Sequence, residues 1–141
     1  MNTVPKTLRT LFVVHFLVDI SFAVPLLFTP GRFLSLLGWT VVDPFAARLV
    51  AAALSGIGIE SLLSRNAPAE SFRSMLSLKI IWSSAAILGM LVTIIQYPRF
   101  RMVSSYAFML VFIAFNIVWV YWKLRLSRSD SVVGSAGNPV R

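Results

Sequence analysis

The stretch that decides the fold is Asp43–Ser64, DPFAARLVAAALSGIGIESLLS. Asp43 can cap the free N–H groups at the start of a helix, and Pro44 fits the first helical turn. Roughly twenty residues follow, which is enough to cross a hydrocarbon core about 30 Å thick. The stretch therefore predicts a transmembrane helix.

Small side chains recur along this predicted helix and would let another helix approach closely in lipid. They are Ala47, Ala51 and Ser55 in one row and Ala52 and Gly56 in the next. The helix also carries Arg48 near its start and Glu60 near its end. Because a charge at membrane depth is costly, we expect each of the two to have a partner or a function.

The rest of the chain follows the same pattern. Of its 141 residues, 57% are hydrophobic, and the mean hydropathy is +0.81. Four segments are long and apolar enough to span a membrane, at about residues 8–28, 44–64, 70–95 and 102–124. We therefore predict an all-α integral membrane bundle of four transmembrane helices, formed by one domain over residues 1–126.

Two segments lie outside the predicted spans. Residues 31–39, GRFLSLLGW, are too short to cross and should lie at the headgroup boundary, with Gly38 as the stop signal. Residues 127–141 are polar and rich in Gly and Ser, which is typical of a disordered tail. The sequence thus predicts a short interfacial segment after the first helix and a tail after the fourth.

Composition and missing motifs exclude several functions. The net charge of +8 could suggest nucleic acid, but the basic residues lie mostly at segment ends, where they meet lipid headgroups. There is no cysteine and one histidine, so thiol chemistry and a multi-histidine metal site are excluded. The motifs HExxH, GxSxG, CxxC and the phosphate loop are also missing. Enzyme chemistry is not excluded by these absences, but nothing in the sequence argues for it. We predict no catalytic residue, no metal and no nucleic-acid partner.

Loop charges predict the orientation. With a cytoplasmic N-terminus, the inner segments carry Lys6, Arg9, Arg65, Arg73, Lys123, Arg125, Arg128 and Arg141, and the outer loops carry Arg32, Arg99 and Arg101. This excess places both termini in the cytoplasm and the protein in the cell membrane.

Six polar residues fall within the predicted spans and form the candidate ligand site: His15, Asp19, Arg48, Glu60, Lys79 and Asn116. The topology puts Asp19 and Arg48 at one depth, and Glu60 and Lys79 at another. We therefore expect these two pairs to form, since pairing lowers the cost of charges in lipid. Two interpretations remain open: structural pairs and side chains reaching toward water, or a polar cavity that handles a ligand or protons.

His15 and Asp19 are the most specific of the predicted contacts, since residues four apart lie next to each other on one face of a helix. A carboxylate fixes the tautomer of a neighbouring imidazole. The pair could relay protons, hold a quinone oxygen, or form only a structural hydrogen bond. For Asn116 we expect a hydrogen bond to another helix, worth roughly 0.6–2 kcal/mol.

The order of these elements resembles the DoxX-like group of small four-helix prokaryotic membrane proteins. The resemblance lies in PLLFTPGRFLSLLGW (residues 25–39), DPFAARLVAAALSGIGIESLL (residues 43–63) and LKIIWS (residues 78–83). It implies the four-helix fold and a link to quinone-related or redox-accessory roles, and it transfers no site residue.

Two functions fit the sequence, and a third needs a cofactor. The first is a non-enzymatic binding or accessory subunit that binds a quinone or lipid-like ligand, alone, as a homodimer or with a partner membrane protein. The second is a dimeric proton-coupled transporter of small molecules, in which Asp19 exchanges protons for a cation; Arg48 and Lys79 oppose a cationic substrate. The third, a membrane oxidoreductase, would require a bound cofactor, which no motif indicates.

Overall fold

The computed structural model describes the backbone of residues 4–136 and the side chains of residues 4–128. Its α-helices are α1 (Lys6–Phe28), α2 (Pro30–Leu36), α3 (Pro44–Leu63), α4 (Ala69–Gln96) and α5 (Val103–Ala136). Short 3-10 turns lie at Ser64–Asn66 and Pro98–Phe100. Helices α1, α3, α4 and α5 are long and apolar enough to cross a membrane. The all-α fold with four spanning helices is confirmed, and the protein is a multi-pass membrane protein.

The start of α3 and the end of α2 follow from their local sequence. Asp43 Oδ1 accepts hydrogen bonds from the backbone N–H groups of Phe45 (2.9 Å) and Ala46 (3.2 Å). Gly38 has a φ of +91°, a left-handed conformation that L side chains rarely adopt, directly after α2. These two residues set the connection between the first and second spans, as the sequence indicated.

The fourth span differs most from its predicted bounds. α5 extends to Ala136, so residues 127–136 of the predicted tail continue the helix. The residues after Leu126 carry no Pro before position 139, and their first Gly is Gly134, so nothing nearer stops a helix that is already formed. The remaining tail, residues 137–141, lies outside the described residues.

The spanning helices associate as two pairs, α1 with α3 and α4 with α5. We call the end with Lys6, Leu63 and Ala69 the lower end, and the end with Phe28, Pro44 and Gln96 the upper end. The sequence predicts that the lower end is cytoplasmic. The two pairs meet closely near the lower end and enclose a cavity farther up.

Small residues bring α1 and α3 together, but only part of the predicted set does so. Ala47 and Ala51 are buried, whereas Ala52 and Gly56 are exposed. The tightest approach is at Gly58, where a Cβ added to the glycine would lie 2.8 Å from Asp19 Cβ. The face that contacts α1 therefore runs through Ala47, Ala51 and Gly58, and Gly56 lies outside it.

Aromatic side chains join the two pairs near the lower end. The ring of Phe12 (α1) lies 4.6 Å from that of Phe72 (α4) and 5.8 Å from that of Trp119 (α5), measured between centroids. We call the buried set around these rings the lower cluster; it contains Val4, Leu8, Phe12, Phe72, Met75, Leu76, Trp119, Trp122 and Leu126. This cluster closes the bundle beneath the cavity.

Candidate functional site

An apolar cavity of about 700 Å³ lies between the two helix pairs. All four spanning helices line it, for example through Val18, Leu54, Ala86 and Phe112. Its volume falls within the roughly 300–1,000 Å³ that is usual for small-molecule sites. The cavity is therefore large enough for an organic ligand.

Aromatic contacts close parts of the cavity wall. Phe22 (α1) and Phe108 (α5) meet edge to face at 5.5 Å between ring centroids. Toward the upper end, Trp39 and Phe100 make the same kind of contact at 5.5 Å. Both residue pairs line the cavity, so each joins the two helix pairs across it.

Lys79 lies at the lower end of the cavity with 2% of its surface exposed. Its Nζ donates a hydrogen bond to Ser61 Oγ (2.7 Å) and lies 3.0 Å from His15 Nδ1. The ammonium also lies 5.2 Å from the ring centroids of Phe12 and Trp119, within range of a cation–π interaction. Lys79 is therefore held in the interior, between all four spanning helices.

His15 Nδ1 lies close to two side chains that require opposite roles of it. Asp19 requires a hydrogen-bond donor, and the Lys79 ammonium requires an acceptor. The Nδ1 atom lies 2.8 Å from Asp19 Oδ2 and 3.0 Å from Lys79 Nζ. The nitrogen can donate to the carboxylate or accept from the ammonium, but it cannot do both at once. Asp19 Oδ2 is buried and receives no well-aligned donor from the described residues. The geometry therefore favours Lys79 as the donor, which leaves Asp19 short of one hydrogen bond.

We call His15, Asp19, Ser61 and Lys79 the polar floor of the cavity. Ser61 completes it by donating to the backbone oxygen of Ile57 (2.5 Å) while it accepts from Lys79. Edge-to-face contacts of the His15 ring with Phe115 and Trp119 fix its plane.

Asn116 binds α5 to α4 beside the polar floor. Its Nδ2 lies within hydrogen-bond distance of Ile80 O (3.2 Å), Ser83 Oγ (2.7 Å) and Ser84 Oγ (2.9 Å). Ser83 in turn donates to the backbone oxygen of Lys79 (2.7 Å). The interhelical hydrogen bond expected for Asn116 is present, and through Ser83 it supports the backbone at Lys79.

The two predicted ion pairs do not form. Arg48 is exposed and its Nε donates to the backbone oxygen of Leu27 (3.1 Å), an oxygen left free at the end of α1. Glu60 is exposed and accepts from Ser64 Oγ (2.5 Å). Matching depths were not sufficient, because Arg48 binds the end of α1 and Glu60 binds a side chain four residues farther along the chain. Arg48 and Glu60 therefore lie outside the polar floor.

Ser61 and Gly58 belong to the site although the sequence did not single them out. The sequence contains a pattern that could have identified them. Small residues recur at spacings of four, seven and three along α3, which places them on one face of the helix: Ala47, Ala51, Gly58 and Ser61. Small residues on that face admit Asp19 at Gly58 and the tip of Lys79 at Ser61.

Two donors near the upper end of the cavity also lack partners among the described residues. They are Trp39 Nε1 and Ser105 Oγ, and both residues line the cavity. Within the part of the chain that the structure describes, no group of three or more His, Asp or Glu side chains lies close enough to hold a metal. The site as described offers hydrogen bonds and apolar contact surface to a ligand.

No family model matches this sequence, and no curated protein or solved structure is significantly similar to it. The resemblance to the DoxX-like group therefore stays a prediction.

Proposed function

We propose that this chain is a small membrane-embedded binding protein that takes up a lipid-like ligand in its intramembrane cavity. The observation that carries the proposal is an apolar cavity of about 700 Å³ that ends in a compact polar floor. A site of this kind fits a molecule with a long apolar part and one small polar head. Binding is the function that this combination of an apolar cavity and a polar floor supports best.

The exposure of two lining residues supports loading from the bilayer. Val50 on α3 and Val111 on α5 line the cavity and keep 45% and 43% of their surface exposed. Each lies about two turns inside a spanning helix, where the surroundings are acyl chains. A lipid-soluble molecule could therefore reach the cavity without passing through water.

A quinone is one candidate ligand, since its carbonyl oxygen could accept a hydrogen bond from Lys79. The DoxX-like resemblance points the same way, toward an accessory subunit beside a partner membrane protein or in a homodimer. The excess of basic residues in the loops of the lower end favours a cytoplasmic location for both termini.

Filling the cavity tests the proposal. Ala86 lines the cavity, and its neighbour Ala85 is exposed and lies outside the lining. In lipid nanodiscs, a chain-brominated dodecyl acetate should quench the fluorescence of Trp82 and Trp119 saturably, because both line the cavity. Ala86→Phe should remove the saturable part and Ala85→Phe should preserve it. Equal quenching in the two variants would refute a cavity site.

A proton-coupled transporter is the second candidate. Asp19 lines the cavity and lies beside His15 rather than Arg48, so a carboxylate borders the space that a substrate would occupy. Lys79 on the same polar floor opposes a cationic substrate. Proteoliposomes under a proton gradient distinguish the candidates: a transporter accumulates a lipophilic cation and loses that activity in Asp19→Asn, whereas a binding protein accumulates none.

A further inference from the structure

We propose that the ligand is an uncharged amphiphile with a hydroxyl head, such as a long-chain alcohol or an alkylphenol, and that the hydroxyl binds between Asp19 and Lys79. This inference rests on the proposed binding function and specifies the chemistry of its ligand. It follows from the formal charges, the unused hydrogen bonds and the shape of the polar floor.

The charges of the polar floor exclude an ionised head. Asp19 and Lys79 carry opposite formal charges and share one neighbour, since His15 Nδ1 lies within 3.0 Å of both side chains. A carboxylate or phosphate head would meet Asp19, and an ammonium head would meet Lys79. Like charges are costly where the dielectric constant is low. A neutral head avoids both repulsions.

The hydrogen bonds of the polar floor select a head that donates and accepts. Asp19 lines the cavity and keeps 7% of its side chain accessible, so its carboxylate can accept a hydrogen bond from a ligand there. The Lys79 ammonium has three N–H bonds, of which Ser61 Oγ and His15 Nδ1 take two. A hydroxyl is the smallest group that can donate to Asp19 and accept from Lys79.

The cavity walls define the other half of the ligand. Above the polar floor the lining is mostly apolar, with side chains such as Phe22, Leu54 and Met90, and polar groups such as Trp39 Nε1 and Ser105 Oγ lie near the upper end. An alkyl chain or an aromatic ring fits these walls, and a second polar group midway would lose its hydrogen bonds to water. The bound ligand therefore places its hydroxyl on the polar floor and its apolar part against these walls.

A series of four brominated twelve-carbon compounds tests the head group in wild-type nanodiscs: the alcohol, its acetate ester, the acid and the amine. The ester keeps an acceptor and loses the O–H donor. We expect the alcohol to bind at least about tenfold more tightly than each of the others, since hydrogen bonds to charged groups are the stronger class. Equal binding of alcohol and ester, or of alcohol and either ionised head, overturns the inference.

Two charge-removing variants sharpen the result. Asp19→Asn should improve binding of the acid at least about tenfold, because Lys79 then faces it without an opposing charge. Lys79→Met should do the same for the amine through Asp19. A gain of acid binding in Lys79→Met, or of amine binding in Asp19→Asn, would place the head elsewhere and overturn the inference.

The outcomes separate this inference from the proposed function. If none of the four compounds quenches saturably in wild-type protein, binding in the cavity itself fails. If the acid or the amine binds best and Ala86→Phe blocks it, the binding function stands and the hydroxyl head is wrong. Should Asp19→Asn or Lys79→Met fail to elute as folded protein, the wild-type series alone decides.

Discussion

The lower cluster and the cavity are both apolar, yet one is filled and the other is open. In the lower cluster, Phe12, Phe72 and Trp119 lie at facing positions and meet in the middle. At the level of the cavity, α3 and α4 present Ala47 and Ala86 instead. Since lipid tails are as apolar as these side chains, hydrophobicity does not force helices together in a bilayer. Small residues on α3 and α4 leave space at the level of the cavity, where large rings such as Phe112 line the walls without filling it.

The largest expected effect comes from emptying the lower cluster. Phe12→Ala should cost about 2–3 kcal/mol of unfolding free energy, mostly because the void left behind costs about 24 cal/mol per Å³. Phe108→Ala is the matched control, because its ring borders space that is already open. It should cost less than about 1 kcal/mol, since its neighbours lose fewer contacts. Reversible unfolding in mixed micelles measures both, and equal losses would contradict the contrast between the two halves.

The next largest effect is the difference in stability between alanine substitutions at two glycines of α3. Gly58→Ala would place a methyl group 2.8 Å from Asp19 Cβ, so α1 and α3 must move apart at a cost of about 1–3 kcal/mol. Gly56→Ala meets nothing within 4 Å and should stabilise by up to about 1 kcal/mol through helix propensity. The same unfolding assay compares them. Similar values for both variants would mean that α1 and α3 do not pack through Gly58.

The sequence predicted the fold well because each span carries its own signals. Length, apolar composition and the cap at Asp43 are local, and the structure reproduces them. The candidate site was predicted only in part, since His15, Asp19 and Lys79 meet and Arg48 and Glu60 lie elsewhere. Asn116 lies beside the site and reaches the Lys79 backbone through Ser83. Depth along a helix follows from counting residues, whereas the direction of a side chain depends on how the helices rotate against one another. That rotation is set by contacts such as Gly58 against Asp19, which no single segment contains.

Asn116→Leu should have a moderate effect, confined to the pairing of α4 with α5. The substitution keeps the branched shape of the side chain and removes the contacts to Ile80 O, Ser83 Oγ and Ser84 Oγ. We expect a loss of about 1 kcal/mol, within the roughly 0.6–2 kcal/mol typical of interhelical hydrogen bonds in membranes. Ser84→Ala removes one exposed partner and should cost less. A larger loss in Ser84→Ala would show that Asn116 is held differently.

The smallest expected effect is the coupling energy between Asp19 and Arg48, for which the sequence predicted an ion pair. In a double-mutant cycle, Asp19→Asn and Arg48→Gln should add within about 0.5 kcal/mol, because the two residues have separate partners. His15→Phe and Lys79→Met should deviate from additivity by about 0.5–3 kcal/mol, since Nζ and Nδ1 lie 3.0 Å apart. Phe keeps the ring packing of His15 against Trp119 while it removes Nδ1.

The two double-mutant cycles together show which residues interact with the buried charges of Asp19 and Lys79. Coupling between His15 and Lys79 without coupling between Asp19 and Arg48 means that the interior cation is held by the polar floor, next to the cavity. The reverse result would place Asp19 toward the upper end with Arg48, away from Lys79. The polar floor would then lose its carboxylate, and an anionic head group would become the better partner for Lys79. The comparison of the two cycles therefore tests the arrangement on which the hydroxyl head group depends.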